Sequence, residues 1–181
     1  MQIIIVGCGN VGTTLTEQLS KEGHNITVVD RDAKKAESVA NRFDVMGVVG
    51  NGASFTVQNE AGIEAADLMI AVTTSDELNL LCCLIARKAG GCNTIARVRN
   101  PIYNKEITYI KEELGLSMVI NPEYAAACEI ARLLKFPSAI KVDSFAKGRV
   151  ELLKCKLGEG SVLDGKPLTY ISSGLRCDVL I

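Results

Sequence analysis

The chain has 181 residues, 48% of them apolar and 23% charged, with a formal net charge of −1. That is a globular composition, long enough for one domain of about 140 residues plus something smaller. Dispersed Lys and Arg, only four Phe and four Tyr, and no Trp argue against a nucleic-acid partner. Seven cysteines without C-x-x-C spacing and a single histidine, His24, suggest neither a disulfide framework nor a metal site. They read as small apolar residues in a reducing cytosol. The most apolar window, Leu78–Ala89, is interrupted by Asn79, Arg87 and Lys88 and is shorter than the roughly 18 residues of a membrane span, so direct membrane insertion is not expected. The chain enters a strand at once, without the basic and long apolar regions of a signal peptide.

Ile3-Ile4-Ile5-Val6 is a β-branched run too short for a helix, and Val11, Leu15 and Leu19 recur at helical spacing just after it. Between them lies Gly7-Cys8-Gly9-Asn10-Val11-Gly12. A second β-branched run, Ile26–Val29, ends in Asp30. Strand, glycine turn, helix and a following acidic residue form the dinucleotide-binding fingerprint in its proper context. Gly7 allows the exit from the strand, Gly9 leaves room for a pyrophosphate, and Gly12 lets the helix pack closely. The helix N-terminus faces the phosphates. Asp30 is placed for ribose hydroxyls and would repel a 2′-phosphate, which favours NAD or another adenosine nucleotide over NADP.

Asp32–Arg42 predicts a second helix, with Ala36, Val39, Ala40 and Phe43 as its buried stripe. Val45–Val49 is a third strand, followed by the glycine turn Gly50-Asn51-Gly52-Ala53 and a short helix over about residues 54–61. Asp67–Val72 is a fourth strand. Ser75 caps the helix that runs to Ala89, and Asp76 and Glu77 read as carboxylates of its first turn rather than catalytic groups. Thr94–Val98 predicts a fifth strand, Ile102–Leu114 a single helix, Met118–Ile120 a sixth strand, and Asn121-Pro122 opens a helix over residues 123–134. The alternation implies a Rossmann-like, doubly wound parallel sheet of order 3-2-1-4-5-6 over residues 1–136.

After Phe136-Pro137 the pattern becomes strand-like. Ala139–Ala146, a turn at Lys147-Gly148 and Val150–Leu157 predict an antiparallel hairpin. A helical turn at Leu168–Ile171 and a strand at Cys177–Ile181 follow, so residues 137–181 read as the first part of a truncated small α+β domain. Helix 123–134 is apolar round most of its circumference, which at the end of a sheet predicts a subunit interface.

The stretches Gly50–Ser54, Ala61-Gly62-Ile63, Ala66-Asp67, Ala71–Asn79, Ile95–Pro101 with Tyr103, and Asn121-Pro122-Glu123 resemble the Trk potassium-uptake regulator family, TrkA, and the related RCK or KTN domains. The resemblance covers residues 1 to about 135 in order. It implies a cytosolic regulatory subunit that binds NAD(H) or ATP/ADP and forms homodimers or rings beneath a membrane-embedded potassium transporter or channel, at the inner face of the plasma membrane. By position, Asp30 and Arg31 would hold the adenosine ribose and its surroundings, Asn51 and Ala53 with Gly52 the adenine pocket, Thr73 and Thr74 the cofactor's flank, and Arg97 its phosphates or second half. Glu123 falls where some relatives bind a cation.

A dehydrogenase would need an acid or base near a nicotinamide. His24 precedes the second strand, at the opposite edge of the sheet from the crevice, and no Tyr-x-x-x-Lys pair occurs. The roughly 45 residues after the sheet are too few for a substrate domain. No catalytic residue is therefore expected. Cys8, near a helix N-terminus that would lower its thiol pKa, reads as a loop filler rather than a redox sensor.

Overall fold

The computed structural model describes residues 1–136, 139–146, 149–161 and 164–167. Two compact units divide the chain, Met1–Ala125 and Ala126–Ile181. The first contains a six-stranded parallel sheet, β1 (Gln2–Val6), β2 (Asn25–Asp30), β3 (Met46–Val49), β4 (Leu68–Ala71), β5 (Asn93–Arg97) and β6 (Met118–Ile120), in the order 3-2-1-4-5-6. This is the expected doubly wound sheet. Its register pairs Ile3 with both Ile26 and Leu68, and Val6 with both Val29 and Ala71.

The central strands are apolar without interruption because both their faces are covered. Ile3 and Ile5 join Ile26, Val28, Ile70 and Val72 on one face, packed with Val11, Leu15 and Leu19 of α1 (Asn10–Lys21) and Val39 of α2 (Ala33–Phe43). Ile4 and Val6 join Val29, Val48, Met69 and Ala71 on the other, under Cys82, Cys83 and Ala86 of α4 (Asp76–Ala89). Between β3 and β4 lie α3 (Phe55–Glu60) and a 3-10 turn at Ile63–Ala65.

The segment expected as one helix over Ile102–Leu114 is two, α5 (Pro101–Lys105) and α6 (Ile107–Glu113). At Glu106 the amide donates to Tyr103 O, three residues back, at 3.0 Å, so the α-helical ladder closes as a tight turn there and restarts from the Glu106 carbonyl. The second unit holds most of α7 (Pro122–Lys135) and the antiparallel hairpin of β7 (Ala139–Phe145) and β8 (Val150–Cys155). Within it Lys135 pairs with Glu151 at 2.9 Å. The expected turn at 147–148, helical turn at 168–171 and strand at 177–181 lie outside the described residues.

Two glycines fix the entry of α1. Gly7 has φ +105°, and a Cβ on Gly12 would stand 1.8 Å from the Gly7 carbonyl oxygen, so the helix touches the loop backbone directly. Gly12→Val should therefore lower stability by about 3 kcal/mol or more, read as a fall in the urea midpoint at unchanged m-value.

Candidate functional site

The strand order reverses between β1 and β4, and an open parallel sheet binds ligands beyond the carboxyl ends of its strands at such a point. A cleft of about 230 Å³ lies there. Of the residues singled out from the sequence, Gly7, Gly9, Asp30, Arg31, Gly52, Thr73 and Thr74 line it together. Lys35 and Asp32 of the β2–α2 corner, which the sequence reading did not assign, line it as well. The volume falls below the roughly 300–1,000 Å³ of a typical ligand pocket, so a ligand of that size would be enclosed in part, with the rest along the sheet edge.

Gly9, exposed at the start of α1, faces open space: nothing lies within 4 Å of where its Cβ would be. The Gly9 carbonyl accepts from Thr13, which starts the helix ladder and leaves the preceding amides of the first turn for a ligand. Asp30 closes the loop from the other side. Its Oδ2 accepts from the Cys8 amide at 2.7 Å and its Oδ1 from the Asp32 amide at 2.9 Å. A carboxylate has about four lone-pair directions, so capacity remains for a ribose hydroxyl.

The other named residues take different places. Cys8 is buried, and Val11 packs between α1 and the sheet. Asn10 is exposed at the helix start. Asn51 shapes the β3–α3 turn: its side-chain oxygen accepts from Ala53 N at 3.1 Å and its carbonyl from Ser54 N at 2.8 Å. Arg97 does not line the cleft; its guanidinium pairs with Glu123. Burial works against the Glu123 carboxylate, but backbone hydrogen bonding and Arg97 outweigh it and hold its pKa below the ordinary value.

A family model, the TrkA-N domain, matches residues 3–122. The chain belongs to the TrkA-N domain family. The Trk system potassium uptake protein TrkA homolog of Archaeoglobus fulgidus is 39% identical over 168 residues, which cover 93% of this chain and 38% of that relative. The chain thus spans well under half of that protein. The crystal structure of the TrkA-N domain of inner membrane protein ybaL from Escherichia coli superposes with a TM-score of 0.65 at 26% identity, covering 74% of this chain and 96% of the other. The GsuK channel bound to NAD has the same fold, with a TM-score of 0.56 at 22% identity over 79% of this chain and 24% of that one. A GsuK crystal structure bound to ADP matches at a TM-score of 0.56 and 23% identity, over 66% of this chain and 31% of that one. The resemblance carried by Gly50–Ser54, Ala71–Asn79 and Ile95–Pro101 is borne out.

Two polar residues of this TrkA-N domain escaped assignment from the sequence. Asn79 is fully buried inside α4. Its Oδ1 accepts from Thr73 N at 2.8 Å and Thr73 Oγ1 at 2.7 Å, and its Nδ2 donates to the carbonyls of Thr73 at 3.3 Å and Arg97 at 2.9 Å. It holds the cleft-lining end of β4 against the end of β5. Asp76 is more than a first-turn carboxylate. It is buried and accepts from the amides of Arg99 and Asn100, each at 2.8 Å, while Ser75 caps the helix through Leu78 N at 3.2 Å as expected. An amide flanked by Leu78 and Leu80 was the available signal for Asn79.

The expectation that a helix N-terminus lowers the Cys8 pKa is corrected. Burial, with Asp30 adding to it and Lys35 opposing, pushes the thiol up to about 12. Burial does the same at Cys82. Peptide mapping after alkylation at pH 8 should find exposed Cys128 and Cys155 modified well before Cys8, Cys82, Cys83 and Cys92. Replacing Asn79 by Leu should cost about 3 kcal/mol in a urea titration, by removing the side-chain partner of the Thr73 amide and of the Arg97 carbonyl.

Proposed function

We propose that the chain is the nucleotide-sensing domain of a regulatory subunit that binds NAD(H) or ATP/ADP and gates a membrane-embedded potassium transporter or channel. The observation that carries this reading is the cleft at the sheet's switch point, where the open Gly9 at the α1 N-terminus and the Asp30 carboxylate stand together. An adenosine ribose bonds Asp30, with Arg31 beside it, and the phosphates lie over Gly9 and the amides of Asn10, Val11 and Gly12. Thr73 and Thr74 flank the ligand, and the β3–α3 turn around Gly52 bounds the adenine. NAD and ADP bound to GsuK, a channel of the same fold, support this ligand class.

A sensor requires only different affinities for its ligand in two conformations, with no catalyst. His24 supports this over an oxidoreductase. It precedes β2 at the amino edge of the sheet, beside Glu22 at 3.5 Å, opposite the cleft. Among the described residues no helix is long and apolar enough to cross a membrane, so the membrane role belongs to a partner at the inner face of the plasma membrane. The protein itself is cytoplasmic in this reading. Helix 123–134 carries Ile130, Leu133 and Leu134 at 52–72% exposure, a face suited to a homodimer or higher ring.

Calorimetric titration of NAD+, NADH, ATP and ADP at one salt concentration should give saturable binding, weakened by about 1–3 kcal/mol in Asp30→Ala. Steady-state oxidation of NADH with a simple carbonyl substrate would reverse the reading. A single monomeric species in sedimentation at micromolar protein would remove the proposed interface.

A further inference from the structure

A second hollow of about 370 Å³ opens between α1 and α2. Its ionisable lining is Lys34, Lys35, Arg42 and the Cys8 thiol, with the hydroxyls of Thr13 and Ser38 beside them and no carboxylate. Arg42 stacks over its neighbour Phe43 at 5.0 Å. Glu17, whose carboxylate lies within the electrostatic reach of Arg42, is itself paired with Lys21 at 2.8 Å. Three cations and two hydroxyls without a carboxylate are the donor set of a phosphate monoester.

Two features tie this hollow to the nucleotide cleft. Lys35 lines both. Cys8, on the wall of the hollow, donates its amide to Asp30 Oδ2 at 2.7 Å, so the hollow adjoins the carboxylate placed for the ribose hydroxyls. The charge balance of the corner is also one-sided. Asp30 is engaged by the amides of Cys8 and Asp32, and Asp32 by the amides of Lys34 and Lys35 at 3.0 and 3.4 Å. The carboxylates are occupied by backbone donors, whereas Arg31, Lys34 and Lys35 enter no ion pair among the described residues.

We propose that this hollow takes a phosphate carried on the adenosine ribose, so that the domain accepts 2′-phosphorylated adenine nucleotides, NADP(H) included, alongside the unphosphorylated ones. This rests on the nucleotide reading above and overrides the repulsion expected from Asp30 alone. Binding of the extra phosphate comes from cations reaching over the α2 side, while Asp30 remains turned toward the loop amides.

The test compares ligands that differ only by that phosphate, 5′-AMP against adenosine 2′,5′-bisphosphate and NAD+ against NADP+, by calorimetry on the full chain at two salt concentrations. The bisphosphate should bind about tenfold more tightly than 5′-AMP, and NADP+ at least as tightly as NAD+, with the advantage shrinking at high salt. The double variant Lys34→Gln, Arg42→Gln touches no residue of the nucleotide cleft, and it should abolish that advantage while leaving 5′-AMP and NAD+ unchanged. Binding of NAD+ with NADP+ a hundredfold weaker overturns this inference and spares the nucleotide reading, and so does a variant that weakens both members of each pair equally. Inorganic phosphate bound together with NAD+, with no gain for NADP+, would assign the hollow to a free anion and overturn the ribose-linked form. Failure of every nucleotide to bind would overturn both readings.

Discussion

The hydrogen bond from the Cys8 amide to the Asp30 carboxylate organises the cleft. It joins the turn after β1 to the end of β2, just beyond the last rung of the strand ladder, Gly7 N to Val29 O at 2.8 Å. The remaining features depend on where that turn sits. Gly12 meets the Gly7 carbonyl of the same turn, and the first amides of α1 follow directly from it. The residue that organises the loop is also the one proposed for a ribose, so in that reading loop geometry and ligand recognition share one carboxylate. A nucleotide bonded to Asp30 would therefore act on the loop backbone as well as on the side chain.

From the cleft, bonded contacts continue across the sheet. Thr73 lines the cleft and gives its amide and hydroxyl to Asn79. Asn79 also holds the Arg97 carbonyl, and the Arg97 guanidinium pairs with Glu123 in the first turn of α7. Beside it Arg99 bonds the Thr74 carbonyl and Asp76. A buried amide with this many partners has little freedom to rearrange alone, because breaking one bond leaves a polar group unpaired at about 1–3 kcal/mol. A displacement of Thr73 would be shared with β5 before it was lost locally.

Much of this was readable in the sequence because parallel strands covered on both faces are continuous apolar runs, and Ile3–Val6, Ile26–Val29 and Leu68–Val72 have no other use at that length. The glycine loop and Asp30 were readable because their spacing is set by a turn and a crossover, which are local. What escaped is what depends on contacts distant in sequence. Asn79 and Asp76 look like ordinary helix residues until β5 is placed beside them. The break at Glu106 has no proline or glycine to announce it. Cys8 fills the loop as read, but the direction of its thiol pKa was not legible: the effect of a helix N-terminus is local and visible, whereas burial, which opposes it and dominates, comes from the packed loop and sheet. The resemblance gives Arg97 to the phosphates or second half of a ligand, and only the fold shows that it shares its strand end with a carboxylate on α7, Glu123.

The same fold gives α7 two characters along its length. Its start is anchored to the sheet unit: Tyr124 N donates to Asn121 Oδ1 at 2.9 Å, Asn121 Nδ2 to the Arg99 carbonyl at 3.2 Å, and Glu123 holds Arg97. Farther on the helix buries no side chain among the described residues, although Ile130, Leu133 and Leu134 are its largest aliphatic groups. Apolar surface gains about 25 cal/mol per Å² when it leaves water, so a face of this kind stabilises whatever covers it. The start of α7 is thus fixed by polar bonds to the ends of β5 and β6, whereas its later turns present the exposed apolar groups Ile130, Leu133 and Leu134.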